Sequence, residues 1–217
     1  MNQPPDDFNP EELFDNEQLI GFCQALHQGV VSAVAACEPN ADITPTINVV
    51  FFTKQEKLHG EVLIPDFLPD DAESRRALFF QIGKSLVKLG GTDEVMVCAG
   101  MVMPAWLSFP RNPNEVIQPS LDPNRSEVVI VDAATFDHRS ASIVQHVDRD
   151  PEGKILLASR DEFFPKDSQP SPQMENTLIE SLFKGYNEAL MEAMGPQLTE
   201  IIHTPPDQAW DYFEQKK

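Results

Sequence analysis

Residues 95–103 constrain the fold of this chain more than any other stretch. Val95, Val97, Ala99, Met101 and Met103 fall on one alternating face and Met96, Cys98 and Val102 on the other, so both faces are apolar. A strand of that kind sits in the middle of a sheet with a layer packed above and below it. The rest of the chain has to supply two neighbouring strands and two covers.

Residues 47–53 are β-branched and aromatic, residues 58–64 form a second apolar stretch, and the charged KQEK segment between them reads as the turn of a hairpin. Downstream, residues 127–137, 141–148 and 154–160 are three more strand-like runs with short turns, the pattern of an antiparallel meander. The strand, helix, strand order over residues 58–103 also permits a right-handed crossover with parallel pairing. The expected architecture is α+β, a single mixed, largely antiparallel sheet of about 5–6 strands with helices packed on it.

Asn9, Pro10 and Glu12 have the spacing of an N-cap, a first-turn proline and a capping-box carboxylate. Leu19, Phe22, Cys23, Leu26, Val30, Ala33, Val34 and Cys37 then recur at helical spacing, with Asp15 and Asn16 dividing a short first piece from a long second one. A second helix is expected to be capped by Asp70, with Glu73 at the box position, and to stop at Gly90 and Gly91. A third is expected to start at Ser171 and Pro172, to bury Leu178, Leu182 and Tyr186, and to end at Gly195 and Pro196. Residues 1–8 then form a poorly ordered acidic N-terminus, residues 9–203 one α+β domain, and residues 204–217 a short C-terminal amphipathic helix.

With 35 Asp+Glu against 16 Lys+Arg, the chain of 217 residues carries a formal charge of −19. That balance repels phosphate backbones and anionic lipid heads, so neither direct nucleic-acid binding nor a membrane partner is expected. The first 20 residues hold six acids and no base, whereas residues 54–92 balance to zero, a pattern of solvated terminal segments more than of one acidic face imitating DNA. The longest run without charged or strongly polar side chains, residues 95–107, is well short of the ~20 residues that span a bilayer. Cys23, Cys37 and Cys98 are an odd number in apolar surroundings and read as reduced thiols, and the acidic start is unlike a signal peptide, so the expected location is cytoplasmic.

No nucleophile elbow, phosphate loop, CxxC pair or HExxH motif occurs, and the GKS triplet at Gly83 lies in a helix without the glycine loop that phosphate binding needs. The DRDPEG segment opens like a calcium loop, but Ser159 stands where a bidentate Glu is required. Asp150, Pro151, Glu152 and Gly153 match a type I turn instead. Asp66, Asp70 and Asp71 form an acidic corner that could hold a magnesium ion, yet one of them is already needed as a helix cap. No cofactor and no metal is therefore implied. The nearest acid–base pair is His146 with Asp148, two apart on one strand, where a carboxylate can orient an imidazole. With the turn set at residues 137–140 and Asp137 opposite Ser142, that pair shares its face with Val131, Ala133 and Thr135.

Residues 104–125 hold five of the 19 prolines. A loop of that length tends to be functional, and Trp106 and Phe109 at its start call for a docking surface. Trp210 and Phe213, three apart near the C-terminus, raise the same question. The expected function is that of a non-enzymatic, cytosolic acidic protein acting through protein–protein contacts, regulatory or accessory and self-associating as a homodimer. Its contact residues are then Trp106, Phe109, Arg111, Trp210 and Phe213. The alternative is a small hydrolase or transferase with a site at His146 and Asp148 beside the Pro-rich loop.

Overall fold

The computed structural model describes residues 14–53, 58–90, 94–108, 122–165 and 177–194. Its strands are β1 (Thr46–Thr53), β2 (Leu58–Leu63), β3 (Glu94–Leu107), β4 (Ser126–Thr135), β5 (Ser140–Arg149) and β6 (Ile155–Phe163). Its helices are α1 (Asn16–Ala36), α2 (Ala72–Gly90) and α3 (Leu178–Met194). The six strands form one sheet in the order β2-β1-β3-β4-β5-β6, and every neighbouring pair is antiparallel. The fold is α+β, but the parallel crossover is not made. β3 enters on the free edge of β1, whose Ile47, Val49 and Phe51 are buried, and not beside β2, which exposes nearly every residue.

β3 is the central strand that its two apolar faces demand. Leu19, Cys23, Val30 and Val34 of α1 cover one face over Cys98, Val102, Val131 and Ile143. Phe79 and Leu86 of α2, with Leu182 and Tyr186 of α3, cover the other over Val49, Phe51, Met96 and Met101. α1 comes close to the sheet over Gly100, where an added Cβ would lie 2.8 Å from the Phe22 ring. β3 continues through Pro104 to Leu107, so the Pro-rich loop begins later than the sequence suggests. Its last rung to β1 is Thr46 with Val102, which leaves Pro104 where β3 has one neighbour only and a missing N–H is tolerated.

The helix starts are local. The Asp15 side chain accepts from Gln18 N at 2.7 Å, and Gln18 Oε1 accepts from Asp15 N at 2.8 Å, a reciprocal cap at the predicted division of the first helix. The shorter piece expected at Asn9 lies outside the described residues. By length and composition alone α1, at mean hydropathy 1.4, is long and apolar enough to cross a bilayer, a test that core helices also pass, and here its Leu19, Cys23, Val30 and Val34 pack on the sheet. A count of uninterrupted apolar residues misses it because its Gln, Ser and His break the run without adding charge. The cap of α2 is Asp71 and not Asp70; its carboxylate accepts from Ser74 N at 2.8 Å, and that bond holds its carboxyl below the usual range. α3 opens at Thr177, whose Oγ1 accepts from Glu180 N at 3.0 Å. Ser171, Pro172, Gly195, Pro196 and the helix expected over residues 204–217 lie outside the described residues.

α2 and α3 cross at two glycines. A Cβ on Gly83 would overlap the Leu182 carbonyl oxygen and come within 2.8 Å of Tyr186 N, and a Cβ on Gly185 would overlap the Phe80 carbonyl oxygen. Each helix thus lays bare backbone on the other, and Lys84 ties the pair together by reaching Glu188 at 2.8 Å and Glu192 at 3.1 Å. Tyr186 ends this packing on a bulge in β3. Val50 pairs with Cys98 and Phe51 with Met96, so Val97 is the extra residue. The Tyr186 hydroxyl accepts from Met96 N at 3.2 Å and donates to Glu94 O at 3.1 Å, and burial pushes this phenol up to about 12.

Candidate functional site

Within the largely apolar run of β4, Asp132 is the one acid between Ser126 and Thr135 apart from Glu127 near its start. It is 8 % exposed, and Ser142 Oγ on β5 donates to its Oδ1. The register puts Asp132, and not Asp137, opposite Ser142. Because the two registers differ by an odd number of residues, every side chain changes face. Val131 and Ala133 turn to α1, while Ile130, Asp132 and Ala134 share the opposite face with Ser142, Val144 and His146.

The turn that fixes this register is Thr135 to Arg139, closed by Thr135 N donating to Arg139 O at 2.9 Å and His138 N to Thr135 O at 3.0 Å. His138 takes the left-handed conformation there, at φ 69°. The β5–β6 turn is built the same way: Gly153 N donates to Asp150 O at 2.9 Å, and Gly153 holds φ 83°. DRDPEG is therefore a hairpin turn, and among the described residues no group of three or more possible metal ligands occurs. Where one turn uses glycine, the other holds a histidine at a cost of about 1 kcal/mol. His138→Gly is expected to raise the melting temperature by about 2–4 °C, measured by circular dichroism.

Asp132 and His138, with Ser140, Glu180, Ile179 and Phe183, line a cavity of about 220 Å³ between the β4–β5 hairpin and the first turn of α3. Burial pushes the Asp132 carboxyl above its ordinary range, and the Ser142 hydroxyl only partly opposes this. The folded protein therefore binds this proton more tightly than the unfolded chain, so this group withdraws stability as pH rises through its raised pKa. Asp132→Asn is expected to match the wild type in urea midpoint below about pH 4, near the unfolded carboxyl's own titration, and to exceed it increasingly toward neutrality.

Of the sequence candidates, His146, Asp148 and Trp106 lie among the described residues. His146 and Asp148 do share a face, but the carboxylate that reaches His146 Nε2 is Asp161 of β6, at 3.3 Å, while Asp148 is exposed. Neither His146 nor Asp148 lines the cavity. Trp106 stands in β3, 44 % exposed, with the Arg125 guanidinium 4.3 Å from its ring centre. Phe109, Arg111, Trp210 and Phe213 lie outside the described residues. Burial pushes the Cys23 thiol up to about 12 and the Cys98 thiol upward as well, which removes both as nucleophiles near neutral pH. A lone acid in a β-branched run was the signal for Asp132, and sequence reasoning passed over it.

On the other side of the sheet, β2 is an edge. Leu58, Gly60 and Val62 lie on the α1-side face, beyond the reach of α1, and His59 and Glu61 on the other. Val62 and Ile64 are each 62 % exposed and Phe67 is 70 % exposed. His59 Nε2 lies 3.1 Å from Glu61 and its Nδ1 3.6 Å from Glu94. Comparison of the chain with protein-family models, curated proteins and solved structures gives no match.

Proposed function

We propose that this protein acts through protein contacts, as a regulatory or accessory component that pairs with a second copy of itself along β2. What carries this reading is the contrast between the two sheet edges. β6 guards its edge with Arg160, Asp161 and Glu162 and with a bulge opposite His146, the usual defences of an unpaired strand. β2 has an unbroken register to β1 and alternates exposed apolar side chains with a single acid.

A two-fold axis perpendicular to the sheet keeps each face on its own side, so the two copies of β2 must centre on a residue. Centred on Gly60, Leu58 faces the second copy's Val62, and His59 faces its Glu61, twice over. Centred on Glu61, two carboxylates would face each other; centred on His59, two imidazoles would face each other and Leu58 would face Gly60. Only the glycine axis matches both apolar and charged partners, and cross-strand pairs of these kinds stabilise by about 0.2–1 kcal/mol each. Gly60 answers no need of the single chain: the nearest atom to an added Cβ is Val49 O at 4.0 Å.

Light scattering after size exclusion is expected to give a dimer at about 50 µM, well above the micromolar range of ordinary self-association. Val62→Lys, which sets a charge against Leu58, is expected to give a folded monomer. Mixed His59→Cys and Glu61→Cys chains are expected to oxidise to a cross-linked pair faster than either variant alone. A wild-type monomer would refute self-pairing, and a dimer untouched by Val62→Lys would refute β2 as its seat.

A further inference from the structure

The Asp132 cavity has no part in β2 pairing and lies near the opposite half of the sheet. Asp132 accepts one hydrogen bond, from Ser142, and no cation among the described residues approaches it. An ionised carboxylate has room for about four donors. Among the described residues no fully enclosed side-chain oxygen lacks a hydrogen bond, so the second Asp132 oxygen opens on the cavity. Glu180 adds another carboxylate to the wall, and Lys184 is drawn to Glu180 at 2.8 Å. Among the described residues the lining contains no Lys or Arg, while Ile179, Phe183 and Ala134 make an apolar wall.

An occupant complementary to these walls brings N–H donors and positive charge at one end and a short hydrocarbon body at the other. Anions are opposed by two carboxylates, and a neutral apolar molecule would cover the Asp132 carboxylate without giving it a hydrogen-bond partner. The volume suits a compact ligand, since a cavity of about 150 Å³ holds a benzene ring. We propose that this cavity is a binding site for a small primary organic ammonium, held by Asp132 with its hydrocarbon part against Ile179 and Phe183. The ammonium and a proton compete for the same carboxyl. Binding therefore weakens on acidification, with Glu180 and His138 the other titratable groups that line the site among the described residues.

Benzylamine and benzyl alcohol are the probes, followed by isothermal titration calorimetry and by the shift in melting temperature. Benzylamine is expected to bind saturably with a dissociation constant below about 1 mM, in keeping with its few heavy atoms. Benzyl alcohol is expected to bind at least tenfold more weakly, and Asp132→Asn to lower benzylamine affinity at least tenfold. Ala134→Leu fills the cavity while leaving the carboxyl in the sequence, and is expected to abolish binding while the protein stays folded. Absence of saturable benzylamine binding to the wild type, equal binding of the alcohol, or full binding by folded Asp132→Asn would each overturn the site.

Discussion

Gly185→Ala is expected, with Gly83→Ala, to be among the most damaging single-methyl changes at the described residues, lowering stability by about 3 kcal/mol, at the upper end of the usual cost of overpacking. The new Cβ would fall on the Phe80 carbonyl oxygen, and both are backbone-borne, so no rotamer change relieves the clash. The helices would have to part. That strips contact from Phe79, Leu86, Leu182 and Tyr186 together, and moves the Tyr186 hydroxyl off the β3 bulge. At about 2–4 °C per kcal/mol, the melting temperature should fall by about 6–12 °C. Gly29→Ala is the control, because a Cβ there meets nothing within 4 Å and removing a mid-helix glycine should gain about 1 kcal/mol. If the two substitutions cost the same, the close crossing is not what holds α2 and α3 together.

Gln145→Ala is expected to cost nearly as much, for a different reason. β6 carries one more residue than β5 between the rungs Gln145 with Arg160 and Val147 with Leu157. The buried Gln145 amide fills that irregularity, its Nε2 donating to His146 O at 3.0 Å and to Ala158 O and Ser159 O at 3.1 Å. With the nitrogen fixed by those carbonyls, Oε1 is left to accept from the buried His27 Nε2 at 2.9 Å, which sets the proton on that ring nitrogen. Truncation leaves a buried imidazole donor and several carbonyl acceptors short of partners, a loss of about 3 kcal/mol. Gln145→Glu should be no remedy at neutral pH, since a carboxylate cannot donate to the carbonyls. Urea unfolding of both variants checks this, and a midpoint within experimental error of the wild type would show that the network is dispensable.

Periodicity made most of the sheet legible. The central strand followed from two apolar faces, the β1–β2 hairpin from two apolar runs around a charged turn, and the Asp150 turn from its proline and glycine. What was lost was lost at positions where no residue type marks the geometry. His138 adopts a conformation that glycine normally signals, so the β4–β5 turn was misplaced and the faces of that hairpin were exchanged. This hid Asp132, whose pairing with Ser142 exists only in the true register. Asp70 and Asp71 are equivalent as sequence and differ only in which one precedes the first helical residue. The carboxylate beside His146 comes from another strand, and no spacing rule on one strand can find it. The Gly83–Gly185 crossing needs two helices in place before either glycine has a reason to be there.

The order of strands also sets an order of assembly. β3 to β6 are neighbours in sequence as well as in space, so each rung closes on the chain just preceding it. β1 must instead find β3 across the whole of β2 and α2, and the entropy of closing such a loop delays it. The β1–β2 hairpin is thus the part of the sheet expected to dock last and to exchange its amide protons first. Under the proposed pairing, that same hairpin carries the seam between copies. Association would then be read not as two finished molecules meeting but as the late closure of one sheet across two chains, with the slowest-formed rungs protected only once the second copy is in place.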